Sequence, residues 1–426
     1  MATIRFSIAK VKQYIKNFGP ILIVFGLAAF FRLWHLNSVP PGLYPDVAIN
    51  GNDALDSLQT GNFKLFYPEN NGREGLFMWL IALSFKIFGP SVWAIKIVPA
   101  IIGIFTVLGL YLLAKELFTQ ATGNTNQAKN IALLSSFFLA ISFWHVNFSR
   151  LGFRAIMVPF VMVFCVYFLL KGFREQKIRH LIISGIFFGL GFYTYISFRL
   201  AVLLIAAIFI LYWLICKSQN LRKKFVLNIG YWLFVVFIVT LPMGIYFLQH
   251  PQNFIGRTSG VSVFSQNNPV SSLVKSLVLH LGMFNIYGDP NWRHNFAGSP
   301  MLFWPVGILF LIGIIVSTKT LIKSILSKNY PLLATHYTLI LWFLIMLLPG
   351  ILTYEGLPHS LRVIGVIPPI FIFTGLGAWQ TYQLFEQNTK YKKLLLVTSA
   401  IFLLSVILVE YDKYFISKYW INSNTI

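Results

Sequence analysis

Six stretches of this 426-residue chain gather the residue types that handle charge and protons. "PPGLYPDVAINGNDALD" carries Asp46, Asp53 and Asp56, and "ENNGREG" carries Glu69, Arg73 and Glu74. "WHVNFSRLGFR" adds His145, Arg150 and Arg154, and "YTYISFR" adds Tyr193, Tyr195 and Arg199. "HLGMFNIYGDPNWRHN" brings His280, Asp289, Arg293, His294 and Asn295, and "PHSLR" brings His359 and Arg362. A carboxylate can take a proton from a hydroxyl or hold a divalent cation. Arginine grips phosphate through two parallel charge-assisted hydrogen bonds. Such residues gathered at one place are what an anionic ligand and an acid–base reaction both require. Plainer readings exist for each. The three aspartates can solvate the exposed face of a surface helix, and Asp46 near a helix start is also a good cap. Arg150 and Arg154 can be interfacial snorkelers, and lone His145 and His280 can be structural. Walker-type, GxSxG, HExxH and paired CxxC motifs are absent from the sequence, so soluble-enzyme templates do not apply.

The elements that must position these residues are set by composition. The chain is 57% hydrophobic and 11% charged, with a mean hydropathy of +0.72. Soluble domains run at about 45–50% apolar and about 25% charged, so the class is an all-α polytopic membrane protein. Spans need about 20 mostly apolar residues. Eleven runs qualify: 20–36, 92–114, 130–148, 155–170, 181–197, 200–216, 225–247, 301–318, 332–350, 363–380 and 394–410. The run 74–88, shorter and interrupted by Lys86, is read as a juxtamembrane helix. With that choice, the loops on the side of the N-terminus hold 20 of the 34 basic residues and three acids, Glu116, Glu175 and Glu386. The positive-inside rule then makes the N-terminus cytoplasmic. The net charge of +22 becomes an orientation and lipid-surface signal, which removes nucleic acid as a partner. The basic start leads into an apolar run without a small-x-small cleavage site, so the first span is expected to stay attached. Cys165 and Cys216 form no metal-type spacing and read as packing residues.

The expected organisation is a single membrane domain over 1–426, sited in the cell (inner) membrane. The first span, 20–36, precedes an outer loop, 37–91, with helices 46–60 and 74–88. Spans 2–7 occupy 92–247, a second outer loop 248–300, spans 8–11 301–410, and an outer tail 411–426. All six polar stretches then fall on the extracytoplasmic side. In the first loop Pro45 suits the first position of a helix. From there Asp46, Asn50, Asp53 and Ser57 line one face, while Val47, Ala54, Leu55 and Leu58 line the other, giving an amphipathic helix on the membrane surface.

With these residues in view, the chain resembles the GT-C fold membrane glycosyltransferases of the protein O-mannosyltransferase and aminoarabinose transferase-like group, glycosyltransferase family 39. The resemblance rests on "PPGLYPDVAINGNDAL", "NNGREGLFMWLIALSFKIFGPSVWAIKIVPAIIGIFTVLGLYLLAKELF", "WHVNFSRLGFRAIMVPF", "YTYISFR", "DPNWRHNFAGSPML" and "PHSLRVIGVIPP", and covers most of 20–370. It implies a cell-envelope enzyme that transfers a sugar, with inversion, from a polyprenyl-monophosphate donor to an acceptor hydroxyl on a protein, lipid or glycan. Asp46 matches the catalytic aspartate of the first outer loop. Related sequences commonly continue with Glu, whereas this chain has Val47, so a metal or substrate contact is missing or comes from elsewhere. Glu74 is the candidate for the carried-over second acid. The cofactor implied is a divalent metal ion, with Asp46 and Glu74 as ligands. Arg150, Arg154, Arg199, Arg293 and Arg362 are the pool for binding the donor phosphate, with Arg73, Tyr195, His294 and His359 as further substrate contacts. The alternatives are an oligosaccharide ligase or polymerase using a diphosphate-linked donor, and a lipid or sugar transporter.

Overall fold

The computed structural model describes residues 2–216, 218–388 and 390–417, without the side chains of 2–17, 255, 257–259 and 388. The chain is a helical bundle. Helix α1 (Ala2–Leu33) enters it, followed by α2 (Pro45–Thr60), a short antiparallel pair β1 (Phe66–Tyr67) and β2 (Arg73–Glu74), and α3 (Leu76–Phe88). Next come α4 (Val92–Thr122), α5 (Thr125–Ile141), α6 (Phe143–Leu151), α7 (Met157–Glu175), α8 (Ile178–Gly191), α9 (Ala201–Ile215) and α10 (Gln219–Gln249). Helices α11 (Pro251–Gly260) and α12 (Pro269–Gly282) fold the next long connection. The chain ends with α13 (Trp304–Leu326), α14 (Tyr330–Ile351), α15 (Ile367–Asn388) and α16 (Lys392–Tyr411).

Helix boundaries follow local chemistry. Pro45 opens α2 behind an extended Tyr44, and Gly61 closes it at φ 73°, a left-handed conformation that glycine adopts without a Cβ clash. Ser91 and Asn124 accept hydrogen bonds from the first free amides of α4 and α5. Helices α4, α5, α7 and α15 bury most of their surface, whereas α10 and α16 expose apolar side chains such as Phe234, Phe237, Leu396 and Ile401. That pattern suits a bundle whose rim faces hydrocarbon.

Among the described residues, eight helices are long and apolar enough to cross a bilayer, and nine if the bent pair α5–α6 counts as one span. The run 130–148 is that pair, bent by 54°. Ser142 leaves helical geometry between the two helices, and the Glu410 carboxylate accepts from the freed amide of Phe143 at 2.8 Å. The runs expected at 20–36 and 181–197 fall on shorter apolar helices, Phe18–Leu33 and Ile178–Gly191, so eleven full spans are more than the helices establish. At 181–197 the helix stops at Gly191, where the Phe198 ring leaves no room for a Cβ, and the 3-10 turn Ile196–Leu200 runs straight into α9.

The first long connection differs from expectation in one respect. Helix α2 matches 46–60, but its polar face does not point to solvent: Asn50 and Ser57 are buried along with Val47, Gly51 and Ala54. Ser57 shares a 2.8 Å hydrogen bond with the Tyr67 hydroxyl, so the hairpin β1–β2 covers that face. Within α2, Pro45, Asn52, Asp56, Gln59 and Thr60 are exposed. Helix α3 begins at Leu76, two residues later than expected, because Arg73 and Glu74 pair as a strand with Phe66 and Tyr67. Two further connections are tied together by a bridge between Ser262 and Thr353. The residues of the expected tail beyond 417 lie outside the described residues.

Candidate active site

The connections at one end of the bundle enclose a cavity of about 330 Å3 whose wall includes Asp46, Arg154, Tyr195, Arg293, His359 and Arg362. Asp46, in the first turn of α2, is about one third exposed. One carboxylate oxygen accepts from the Asn70 amide at 2.9 Å and the other from the Arg293 guanidinium at 2.7 Å. Asn70 sits in the turn between β1 and β2, with φ 52°. Arg293 arrives from the loop after α12, whose backbone is fixed to α6 by the Asn147 amide donating to the Arg293 carbonyl at 3.0 Å. Burial raises the Tyr44 hydroxyl above its usual range, partly offset by the same Arg293 charge.

Arg154, which also lines the chamber, is paired with Glu74. The Arg154 guanidinium, in the turn before α7, donates to the buried Glu74 carboxylate at 3.1 Å and to the Gly72 carbonyl at 3.0 Å. It also lies over the Tyr195 ring, 5.2 Å from its centroid. A third arginine, Arg362, donates to Thr353 at 2.8 Å and to the exposed Glu355 carboxylate at 3.2 Å. Opposite lies a buried knot. The Asp289 carboxylate accepts from His294 Nδ1 at 3.1 Å, and from the Ser360 amide and hydroxyl at 2.8 Å each. The His294 and His359 rings are 4.9 Å apart. Beside them, burial lowers the His280 imidazole, consistent with its Nε2 accepting from the His359 amide at 3.1 Å.

Asp46, Arg154, Tyr195, Arg293, His294, His359 and Arg362 therefore share one chamber. Other expected residues lie elsewhere. Arg150 is fully buried and donates to the carbonyls of Phe31 at 3.0 Å, Trp34 at 2.7 Å and Val39 at 2.6 Å, against the rings of Tyr414 and Phe415. It satisfies the open end of α1 and does not reach the chamber. Arg199 donates to the Phe254 carbonyl at 2.7 Å and borders a separate apolar groove of about 480 Å3 lined by Phe188, Trp232 and Phe247. Arg73 turns under α2, bonded to Asn50 at 2.9 Å and Asp53 at 2.6 Å. Asp53 is thus a partner of Arg73, Asp56 an exposed residue, and His145 a buried neighbour of Arg32 at 2.7 Å.

The two residues expected as metal ligands, Asp46 and Glu74, are ion-paired with Arg293 and Arg154 respectively. The described residues that could jointly hold an ion are Asp289, His294 and His359, whose ligand atoms lie within 4.8 Å of one another. Asn70, Glu355 and Ser360 also belong to the site and went unnoticed in the sequence. Asn70 adjoins "GREG" and Ser360 lies inside "PHSLR", so proximity to a charged motif was the available signal.

Comparison with known proteins places this geometry. The sequence model of the dolichyl-phosphate-mannose-protein mannosyltransferase family matches residues 76–246. The oligosaccharyltransferase AglB from Archaeoglobus fulgidus, in complex with an inhibitory peptide and a dolichol-phosphate, superposes with a TM-score of 0.62 at 14% identity, over 96% of this chain and 56% of that one. ArnT from Cupriavidus metallidurans bound to undecaprenyl phosphate superposes with a TM-score of 0.52 at 15% identity, over 86% of this chain and 60% of that one. The chain has the GT-C fold. Two curated relatives match the GT-C bundle in part. An uncharacterized protein of Aquifex aeolicus (strain VF5) is 27% identical over 172 residues, 39% of this chain and 31% of the relative. The putative mannosyltransferase YkcB of Bacillus subtilis (strain 168) is 28% identical over 144 residues, 34% of this chain and 18% of the relative. The chain thus spans less than a third of those relatives and just over half of the GT-C structures. Asp46 and Glu74 precede the family match, and Asp289, Arg293, His294, His359 and Arg362 follow it.

Proposed function

We propose that this chain is an inverting glycosyltransferase that moves a sugar from a polyprenyl-monophosphate donor to an acceptor hydroxyl. The observation that carries this reading is the Asp46 carboxylate, about one third exposed, sharing a small chamber with Arg154, Arg293 and Arg362. Asp46 accepts the acceptor's hydroxyl proton as that oxygen bonds to the anomeric carbon. The bond from that carbon to the phosphate oxygen breaks on the opposite face, and its electron pair stays on the phosphate. Arginines lining the chamber hold the charge that develops there. The resting ion pair between Asp46 and Arg293 fits this scheme, because the donor's phosphodiester anion competes for the guanidinium and frees the base. A lipid-linked donor keeps its tail in the bilayer and presents phosphate at headgroup depth, where the ends of the spans can reach it. The apolar groove beside Arg199 suits such a tail. The positive-inside rule, applied to the basic loops between the other span ends, supports an extracytoplasmic position for the chamber in the cell membrane.

The test uses purified protein, a tritiated sugar on mono- and diphosphate polyprenyl carriers side by side, and Asp46→Asn as control. Transfer from the monophosphate alone, lost in Asp46→Asn while the thermal midpoint is kept, is expected. Transfer from the diphosphate alone favours an oligosaccharide ligase, and an active Asp46→Asn variant rejects Asp46 as the base.

A further inference from the structure

The three arginines of the chamber are each matched by a carboxylate: Arg154 by Glu74, Arg293 by Asp46 and Arg362 by Glu355. Asp289 is different. It is 1% exposed, and among the described residues its ion-pair partner is His294 rather than a lysine or arginine. A buried carboxylate with so weak a counter-charge is costly. Two imidazoles that face the chamber stand against it, His294 and His359. We propose that Asp289, His294 and His359 bind one divalent transition-metal ion of the zinc class in the chamber wall.

The chemistry of the set fits. One carboxylate oxygen and two imidazole nitrogens make a three-ligand N/O site that leaves a coordination position open. His294 and His359 line the chamber, so that position faces it and can take an oxygen of a phosphate or sulfate. The ligand atoms lie within 4.8 Å of one another. Bonds of about 2.0–2.2 Å put tetrahedral ligand atoms about 3.4 Å apart, so the separations, at most 4.8 Å, would close by up to about 1.4 Å, through rotation of the imidazole side chains.

The outer contacts are those a metal ligand needs. The Ser360 amide and hydroxyl fix one oxygen of Asp289, and the Asn291 amide fixes the other at 2.8 Å. His280 holds the backbone of His359. On binding, the His294 proton would move from Nδ1 to Nε2, and the Asp289 oxygen would exchange that hydrogen bond for the ion. The site ties the loop after α12 to the loop after α14 and stands opposite Asp46, so the assignment rests on these three side chains and not on the donor reading.

The experiment is metal analysis of the full chain in detergent, stripped with chelator and re-equilibrated with Zn2+, together with the visible spectrum of the Co2+ form. About one ion per chain and a tetrahedral Co2+ spectrum are expected, with affinity weakened at least tenfold in His294→Gln and His359→Gln. The metal-free variants should melt with metal-free wild type, which separates lost binding from lost fold. Asp46→Asn should bind metal like wild type, so failure of the base assignment leaves this one standing. Wild type that retains no ion, or variants that retain as much as wild type, overturns it.

Discussion

Arg150 and Arg154 are one helical turn apart in sequence, yet they do opposite work. Arg154 faces a chamber, is paired with Glu74 and stacks on Tyr195. Arg150 is sealed away and bonded to three backbone carbonyls. Two more cations behave like Arg150. Arg32 donates to the carbonyls of Ala28 at 3.0 Å and Ala140 at 2.8 Å, and Lys96 to that of Pro40 at 2.5 Å. The first group meets carboxylates beside open space; the second answers the orphaned carbonyls at the end of α1 and of the bend at α5–α6. A cation at the end of a span is therefore not evidence of an anion site until its partners are known.

The widest separation between the groups should come from truncating each arginine. Arg154→Met is expected to lower turnover by about 10²-fold or more, as when a charge-stabilising donor is lost, with a modest change in thermal midpoint. Arg150→Met strands three carbonyls and should cost on the order of 3 kcal/mol or more, read as a lowered midpoint in detergent and reduced yield. Matching losses of stability in both variants would erase the distinction. Arg293→Gln should raise the KM for the donor about tenfold while the fold is retained, since one charged contact to phosphate is worth about 1.5 kcal/mol or more. Within the chamber group, a double-mutant cycle of Glu74→Gln and Arg154→Gln sharpens the picture: a coupling of about 1–2 kcal/mol is expected for a mostly buried pair. The smallest effect belongs to Asp56→Asn, an exposed position, where stability should stay within about 0.5 kcal/mol and transfer should be unchanged.

Much of this was legible beforehand, and the misses have physical causes. Hydropathy located every long helix, because the cost of bringing charge into hydrocarbon is paid residue by residue. The polar stretches were found too, since they interrupt that pattern. The amphipathic reading of α2 failed at Asn50 and Ser57, because a polar face needs partners but these need not be water; here Arg73 and Tyr67 supply them. At Asp46 and Glu74, the pair expected to hold a metal, the structure shows two arginines as partners, one of them 247 residues from Asp46, which no local pattern records.

The sequence alone determined that this is a helical membrane bundle whose polar residue types interrupt the apolar runs, since apolar length and charge exclusion are properties of local composition. Tertiary structure alone decided which of those residues look into a common chamber. Hydrogen-bond satisfaction is the reason: Arg150 is held by carbonyls 111 to 119 positions away, and no local pattern records whether such a partner arrives before a ligand can.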